Sequence, residues 1–389
     1  MKVIGLMSGT SADGIDAALV EITKDDPIPR VKLLHCERRP YPPGIRDRIL
    51  RLGSHPDALR ELCHLNVLLG ELFAQAALDL VRMAGSEVTL IGSHGQTVCH
   101  LPSPVAEEDL LLRSTLQIGE PCVIAERTGL CTVADFRPRD MAAGGEGAPL
   151  TPYPHYLLFR DPERCRVIVN LGGISNMTVL PPGASLAEVV AFDAGPGNVL
   201  IDGVIRRVSG GALEYDVDGA WAASGRVNQT LLERLLDFPF FRRPPPRSAG
   251  QEEFGPRLVD EIVIAADREG IVPVDLVATI SAFTVEAVVG SLDAHIFPRQ
   301  TVDEILLCGG GVRNRWLRQA LADRLAPRPV LATDDVGFPA DAVEATAFAV
   351  LAYLTFTEHP GNLPSVTGAR RPVCLGKIIP GIRYPKSKS

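Results

Sequence analysis

Between residues 33 and 376 the chain has no lysine, and only six of its 39 basic residues are lysines, at positions 2, 24, 32, 377, 386 and 388. P-loop nucleotidases, protein kinases and Schiff-base enzymes each need a lysine inside the domain, so those classes are excluded. There is no run of five Lys and Arg residues, and the net charge is −8. A surface without a basic stripe does not wrap nucleic acid or anionic lipid, and small molecules are the expected partners. The eight cysteines include no CxxC pair and no Cys/His spacing suited to zinc, so reduced and mostly buried thiols are expected. No window reaches 18 apolar residues, and the apolar run after Lys2 is too short for a signal peptide. The expected setting is the cytoplasm, with no membrane partner.

Hydrophobic residues make up 46% of the 389 positions and charged residues 22%, which is a globular composition. That length exceeds what one core fills and predicts two lobes. KVIGLMSGTSADGIDAALVEI reads as strand, glycine turn and strand, and RVIVNLGGISNMTVLPPG repeats the plan from residue 166, as a duplicated beginning would. Further strands are expected at 31–35, 88–93, 132–136, 189–193, 304–308 and 330–332. Helices are expected at 57–83, 198–208, 228–237, 254–268, 275–296, 314–325 and 342–355. Strands and then alternating helices and strands, twice over, give an α/β plan with a mixed sheet in each lobe. The Gly- and Pro-rich stretch 136–154 reads as the loop opening the second lobe. The first lobe is then 1–135, with 356–389 as a candidate addition, and the second is 136–355. The proline-rich stretch 242–255 reads as a surface loop.

Four segments carry candidate chemistry. The turn with Thr10, Ser11 and Asp13 offers amides and hydroxyls to a phosphate and a carboxylate to Mg²⁺, although any tight hairpin also favours small polar residues. In FDAGPGN, Asp193 ends a strand, and Gly195 and Gly197 precede a helix that starts near Asn198. That position faces the ligand crevice of open α/β sheets, where an Asp serves as general base or metal ligand. Gly309, Gly310 and Gly311 lie between strand and helix without the GxGxxG spacing of a dinucleotide site. Ser93, His94, Gln96 and Thr97, with Asp135, Arg137 and Asp140, suit a polar, anionic sugar, although a lone His94 also reads as a structural histidine.

With these motifs in this order the chain resembles the anhydro-N-acetylmuramic acid kinases, a branch of the sugar kinase, heat-shock ATPase and actin superfamily. The resemblance rests on MSGTSADGID, GSHGQT, QIGE, VADFRPRDMAAGGEGAPL, NLGGISN, FDAGPGN, GGGVRN, EATAFAVLA and VTGA. It implies two lobes with duplicated ribonuclease H-like cores, an actin-like ATPase fold with the active site in the interlobe cleft, and a homodimer. It also implies ATP, Mg²⁺ and a role in cell-wall recycling, with the 1,6-anhydro sugar opened by water and phosphorylated at O6.

The residues it assigns to ATP are Gly9, Thr10, Ser11, Ala12, Asp13, Gly14, Ile15, Asp16, Gly172, Gly173, Gly195, Gly197, Asn198, Gly309, Gly310, Gly311 and Asn314. Asp193 becomes the base on water. His94, Gln96, Thr97, Asp135 and Arg137 become sugar contacts, and Asp13 and Glu344 metal ligands. One departure stands out: where the family usually reads Lys-Ser-Thr-Gly-Arg-Glu, this chain has Arg247, Ala249 and Gln251 at three of the six positions. A kinase for another amino sugar and a non-catalytic nucleotide-binding protein of the same fold remain the alternatives.

Overall fold

A computed structural model describes residues 1–9, 11–25 and 28–382. The chain first forms β1 (Lys2–Ser8), β2 (Gly14–Thr23), β3 (Arg30–Pro40), α1 (Ile45–Leu50), α2 (Ala58–Met83), β4 (Leu90–Glu107), β5 (Leu110–Ile118), α3 (Pro121–Thr128), β6 (Cys131–Ala134), α4 (Phe136–Ala142) and α5 (Pro152–Phe159). Next come β7 (Arg166–Leu171), β8 (Ile174–Leu180), β9 (Val190–Pro196), α6 (Asn198–Val208), α7 (Ala220–Ser224), α8 (Gln229–Leu236), α9 (Gln251–Phe254), α10 (Pro256–Arg268), α11 (Pro273–His295), β10 (Glu304–Cys308), α12 (Arg315–Leu325) and β11 (Val330–Ala332). It closes with α13 (Val343–Phe356), α14 (Pro364–Thr367) and β12 (Lys377–Ile379).

These elements form two compact units, residues 1–159 with those from 341 onward, and residues 160–340. The sheet of the first unit runs β12-β6-β4-β1-β2-β3, with β5 paired to β4, and that of the second runs β11-β10-β7-β8-β9. In both, three consecutive antiparallel strands are followed by two that run parallel to the first. The duplication read from the two hairpins is therefore a duplication of the whole strand order, the ribonuclease H-like plan.

One face of the first sheet packs on α2, which turns Leu65, Leu69, Phe73, Ala76 and Leu80 toward Ile4, Leu6, Leu19 and Ile91, an apolar stripe at helical spacing. The other face receives α13, which packs on β1, β2 and β4. Its approach depends on two glycines. A Cβ on Gly5 would lie 1.8 Å from the Ala345 carbonyl oxygen, and one on Gly92 would lie 2.2 Å from that of Phe348. In the second unit α11 is buried along most of its length, which accounts for a helix apolar enough to span a membrane by length and composition alone.

Several expectations need revision. Residues 136–154 are not one loop, because α4 and the start of α5 lie inside it and pack on β5, β3 and α13. The first unit therefore runs to Phe159 rather than 135, and α13 belongs to it rather than to the second. The surface reading of 242–255 fails at Arg247 and Phe254, 5% and 0% exposed. The hairpin of β4 and β5 and the short β12 were not anticipated. Only Cys131, Cys165 and Cys308 are buried, whereas Cys63, Cys99 and Cys122 are exposed.

Candidate functional site

In the first unit the candidate residues gather on the turn between β1 and β2. Ser8 Oγ, with one proton to give, lies 2.8 Å from the Gly14 carbonyl and 2.7 Å from Gln96 Oε1, and Gln96 Nε2 donates to the Gly9 carbonyl (3.1 Å). Gln96, 1% exposed, thus ties the turn to β4. Ala12 takes a left-handed φ of 50°, and its amide closes the turn on the Gly9 carbonyl at 3.1 Å. Asp13 accepts from Ser11 Oγ (2.9 Å) and Arg38 Nη2 (2.6 Å). Thr10 lies outside the described residues. Gly9 and Ser11 flank it in the turn, while Gly14, Ile15 and Asp16 open β2.

Asp16 stands opposite Arg38 in the pairing of β2 and β3, with Arg38 Nε at 3.7 Å, a cross-strand charge pair. Burial nevertheless pushes its carboxyl up to about 7; Arg38 opposes this, and Glu344, Asp341 and Asp13 add to it. A half-buried carboxylate among three others gains from any added positive charge. Among the described residues no three His, Cys, Asp or Glu side chains converge as a ready cation cage. Mg²⁺ does not require one, since it takes one or two carboxylates with phosphate and water. Two carboxylates, Asp13 and Glu344, meet that requirement, and Asp16 beside them adds negative charge.

The proposed sugar residues separate into distinct environments. His94 is 4% exposed; its Nδ1 lies 3.0 Å from the Gly95 carbonyl, and its Nε2 accepts from Arg137 Nε at 3.1 Å. Burial and the Arg137 charge hold its pKa well below 6.5, so the ring is neutral, with its proton on Nδ1. Arg137 Nη1 also donates to the Gly147 carbonyl (2.8 Å). Asp140, fully buried, accepts from the Gly147 amide (2.8 Å), Asn362 Nδ2 (2.6 Å) and Thr367 Oγ1 (2.7 Å). It holds the 144–147 loop rather than a ligand. Thr97 Oγ1 accepts from Gln117 (3.1 Å), and Asp135 pairs with Lys377 at 2.8 Å on the β6–β12 edge.

In the second unit the candidate residues surround the ends of β7 and β9. The Gly172 carbonyl accepts from the amide of Asn198, and the Gly173 carbonyl from those of Gly197 and Val199, at 2.8–3.1 Å. These amides at the start of α6 thus close on the glycine turn, whereas the sequence had suggested that the helix end faces phosphate. Gly309 and Gly311 press on Asn170 and Leu171, Gly310 has open space around it, and Asn314 caps α12 through the Leu317 amide at 3.0 Å. Asp193 is 9% exposed, and its Oδ2 accepts from the Ala249 amide at 2.8 Å.

Sequence reasoning did not foresee the parts played by Ser8, Arg38, Asp341 and Arg247. Ser8 lies inside a motif already singled out. The other three are brought in by strand pairing or chain return and leave no local signal.

Duplicated mixed sheets, each opened by a hairpin with a glycine turn, and a buried aspartate beside a bulge in β9 define a two-unit α/β phosphotransferase. The model of the family described as anhydro-N-acetylmuramic acid kinase matches residues 1–381, and the chain belongs to that family. The kinase of that name from Caldanaerobacter subterraneus subsp. tengcongensis is 48% identical over 380 residues, covering 97% of this chain and 96% of its own. The one from Acaryochloris marina is 46% identical, covering 97% and 99%. Among solved structures, the activator of the 2-hydroxyisocaproyl-CoA dehydratase from Clostridium difficile superposes with a TM-score of 0.44 at 10% identity, covering 91% of this chain and 94% of that one.

Proposed function

We propose that this enzyme opens 1,6-anhydro-N-acetylmuramic acid with water and phosphorylates O6 from ATP, giving N-acetylmuramic acid 6-phosphate and ADP in peptidoglycan recycling. The observation that carries the reading is Asp193, a buried carboxylate within β9, next to its bulge, with one oxygen fixed by the Ala249 amide. A base so oriented takes a proton from water as the water oxygen bonds to C1. The C1–O6 bond breaks with its electrons on O6, O6 bonds to the γ-phosphorus, and the bond from that phosphorus to the β,γ-bridging oxygen breaks with its electrons going to ADP. No separate acid is required, because phosphorus rather than a proton captures O6.

In the first unit the turn from Gly9 to Asp16 is the proposed phosphate contact, and in the second unit the glycines at 172–173 and 309–311 are the proposed nucleotide contacts. Asp13 and Glu344 would hold Mg²⁺, whose positive charge would offset the negative charge of the phosphates. Arg137, oriented by neutral His94, supplies the cation for the sugar's lactyl carboxylate. The enzyme works as a homodimer in the cytoplasm, which sedimentation and cell fractionation test.

The deciding experiment measures ADP release with ATP, Mg²⁺ and the anhydro sugar, with the product weighed by mass spectrometry. A product heavier by one phosphate and one water is expected. Phosphate without water, or turnover only with N-acetylmuramic acid or N-acetylglucosamine, would replace this reading with that of another amino-sugar kinase.

A further inference from the structure

The proline-rich segment 242–255 is built around one buried cation. Arg247 is 5% exposed, and its guanidinium lies 4.7 Å from the Phe240 ring centroid and 5.6 Å from that of Phe192. Burial lowers its pKa to about 10, so it remains charged at neutral pH. Its Nη1 donates to the Arg243 carbonyl at 2.9 Å, and its Nη2 to Ser291 Oγ on α11 at 2.7 Å. A buried arginine satisfied in this way is costly to move.

The rest of its bonding is directed at β9. Arg247 Nε donates to the Asp193 carbonyl at 3.0 Å, and the Arg247 carbonyl accepts the Asp193 amide at 3.0 Å. Two residues further on, the Ala249 amide meets Asp193 Oδ2. The ladder of β8 and β9 shifts register here, because Asn176 pairs with Asp193 and Ser175 with Gly195, leaving Ala194 as a bulge. Bulges re-aim the neighbouring side chain. The Ala194 carbonyl accepts instead from Arg247 Nη2 at 3.5 Å and lies 3.2 Å from Ser291 Oγ, whose shorter contact is the Ala287 carbonyl at 2.7 Å. Gly195, at φ 147°, lies under the Phe241 ring, which would be 3.0 Å from an added Cβ. The segment therefore clamps the bulged end of β9 from both sides.

We infer that Arg247 is a positioning residue for the reaction: it locks segment 243–249 to the bulge at Ala194, so that the Ala249 amide holds Asp193 in the orientation and ionised state a base requires. The inference rests on Asp193 being the base, as proposed above. The arginine acts through main-chain groups and touches no substrate. Lysine carries the same charge with fewer donors.

The test compares the wild type with Arg247→Met and Arg247→Lys in two assays. In steady-state turnover, Arg247→Met is expected to lose about 30-fold in kcat with KM for ATP changed less than about twofold. The acidic limb of its kcat profile moves up by about one pH unit as the Ala249 bond loosens. Arg247→Lys recovers most of both. The second assay follows the Asp193 carboxyl by 13C resonance of labelled aspartate, assigned by its loss in Asp193→Asn, and needs no substrate. Its titration midpoint is expected to rise in Arg247→Met and to return in Arg247→Lys. An unchanged midpoint in Arg247→Met overturns the inference, as does a loss of kcat with an unmoved acidic limb. A wild type that releases no sugar-dependent ADP refutes the proposed function instead, and the 13C titration still decides what Arg247 does to Asp193.

Discussion

Asp16→Asn tests the electrostatics of the candidate site in the first unit. The Asp16 carboxyl is raised from an ordinary 3.8 to about 7, by burial first and by its acidic neighbours next. The folded chain therefore holds this proton more tightly than the unfolded chain. The stability Asp16 contributes is complete below pH 3.8 and is lost as pH rises through about 7. The full gap corresponds to about 4 kcal/mol. With 27% of the side chain exposed and Arg38 at 3.7 Å, screening leaves about 2 kcal/mol. An amide at position 16 carries no such penalty, so the variant should exceed the wild type by about 2 kcal/mol at pH 8.5. The difference should shrink toward zero near pH 4. Urea denaturation in EDTA, followed by far-ultraviolet circular dichroism, measures it directly; the tryptophans, at 221 and 316, lie in the other unit. A variant no more stable than the wild type at pH 8.5, or a difference that ignores pH, refutes the reasoning.

Further expectations follow from single contacts. Asp193→Asn is expected to lower kcat at least about 100-fold while leaving ATP affinity, read by calorimetry, within about threefold; near-normal turnover would remove Asp193 from the mechanism. Gly5→Ala forces a methyl group into the Ala345 carbonyl, and urea unfolding should show a loss of about 3 kcal/mol or more, because neither β1 nor α13 can yield without opening the core. Asp140→Ala leaves the donors of Gly147, Asn362 and Thr367 without their acceptor, for a loss of about 3 kcal/mol by the same assay. Burial depresses the pKa of His155 to about 3, so its contribution is present above pH 6.5 and is lost as pH falls through about 3. In His155→Leu, acid unfolding followed by circular dichroism should move to lower pH.

The duplicated hairpins and the glycine turns were legible because each is encoded within a few consecutive residues by alternation and turn chemistry, whereas Asp193, expected as the last residue of its strand, lies inside β9, which runs on through a bulge to Pro196. The uniform apolarity of α13 also marked it as buried, but it named no partner. The glycines that admit it, Gly5 and Gly92, lie on β1 and β4, hundreds of residues earlier. Likewise, Asp16 reads as one polar residue in a strand until β3 sets Arg38 opposite it and the chain returns to bring Glu344 near. Arg247 stood in a stretch whose prolines and charges read as surface. Only packing among Phe192, Phe240 and Ser291 made it a buried strut for Asp193. Local patterns specify elements because their energetics act between near neighbours. Charge environments and close approaches depend on which distant segments share a core, and burial and strand pairing across the whole chain decide that.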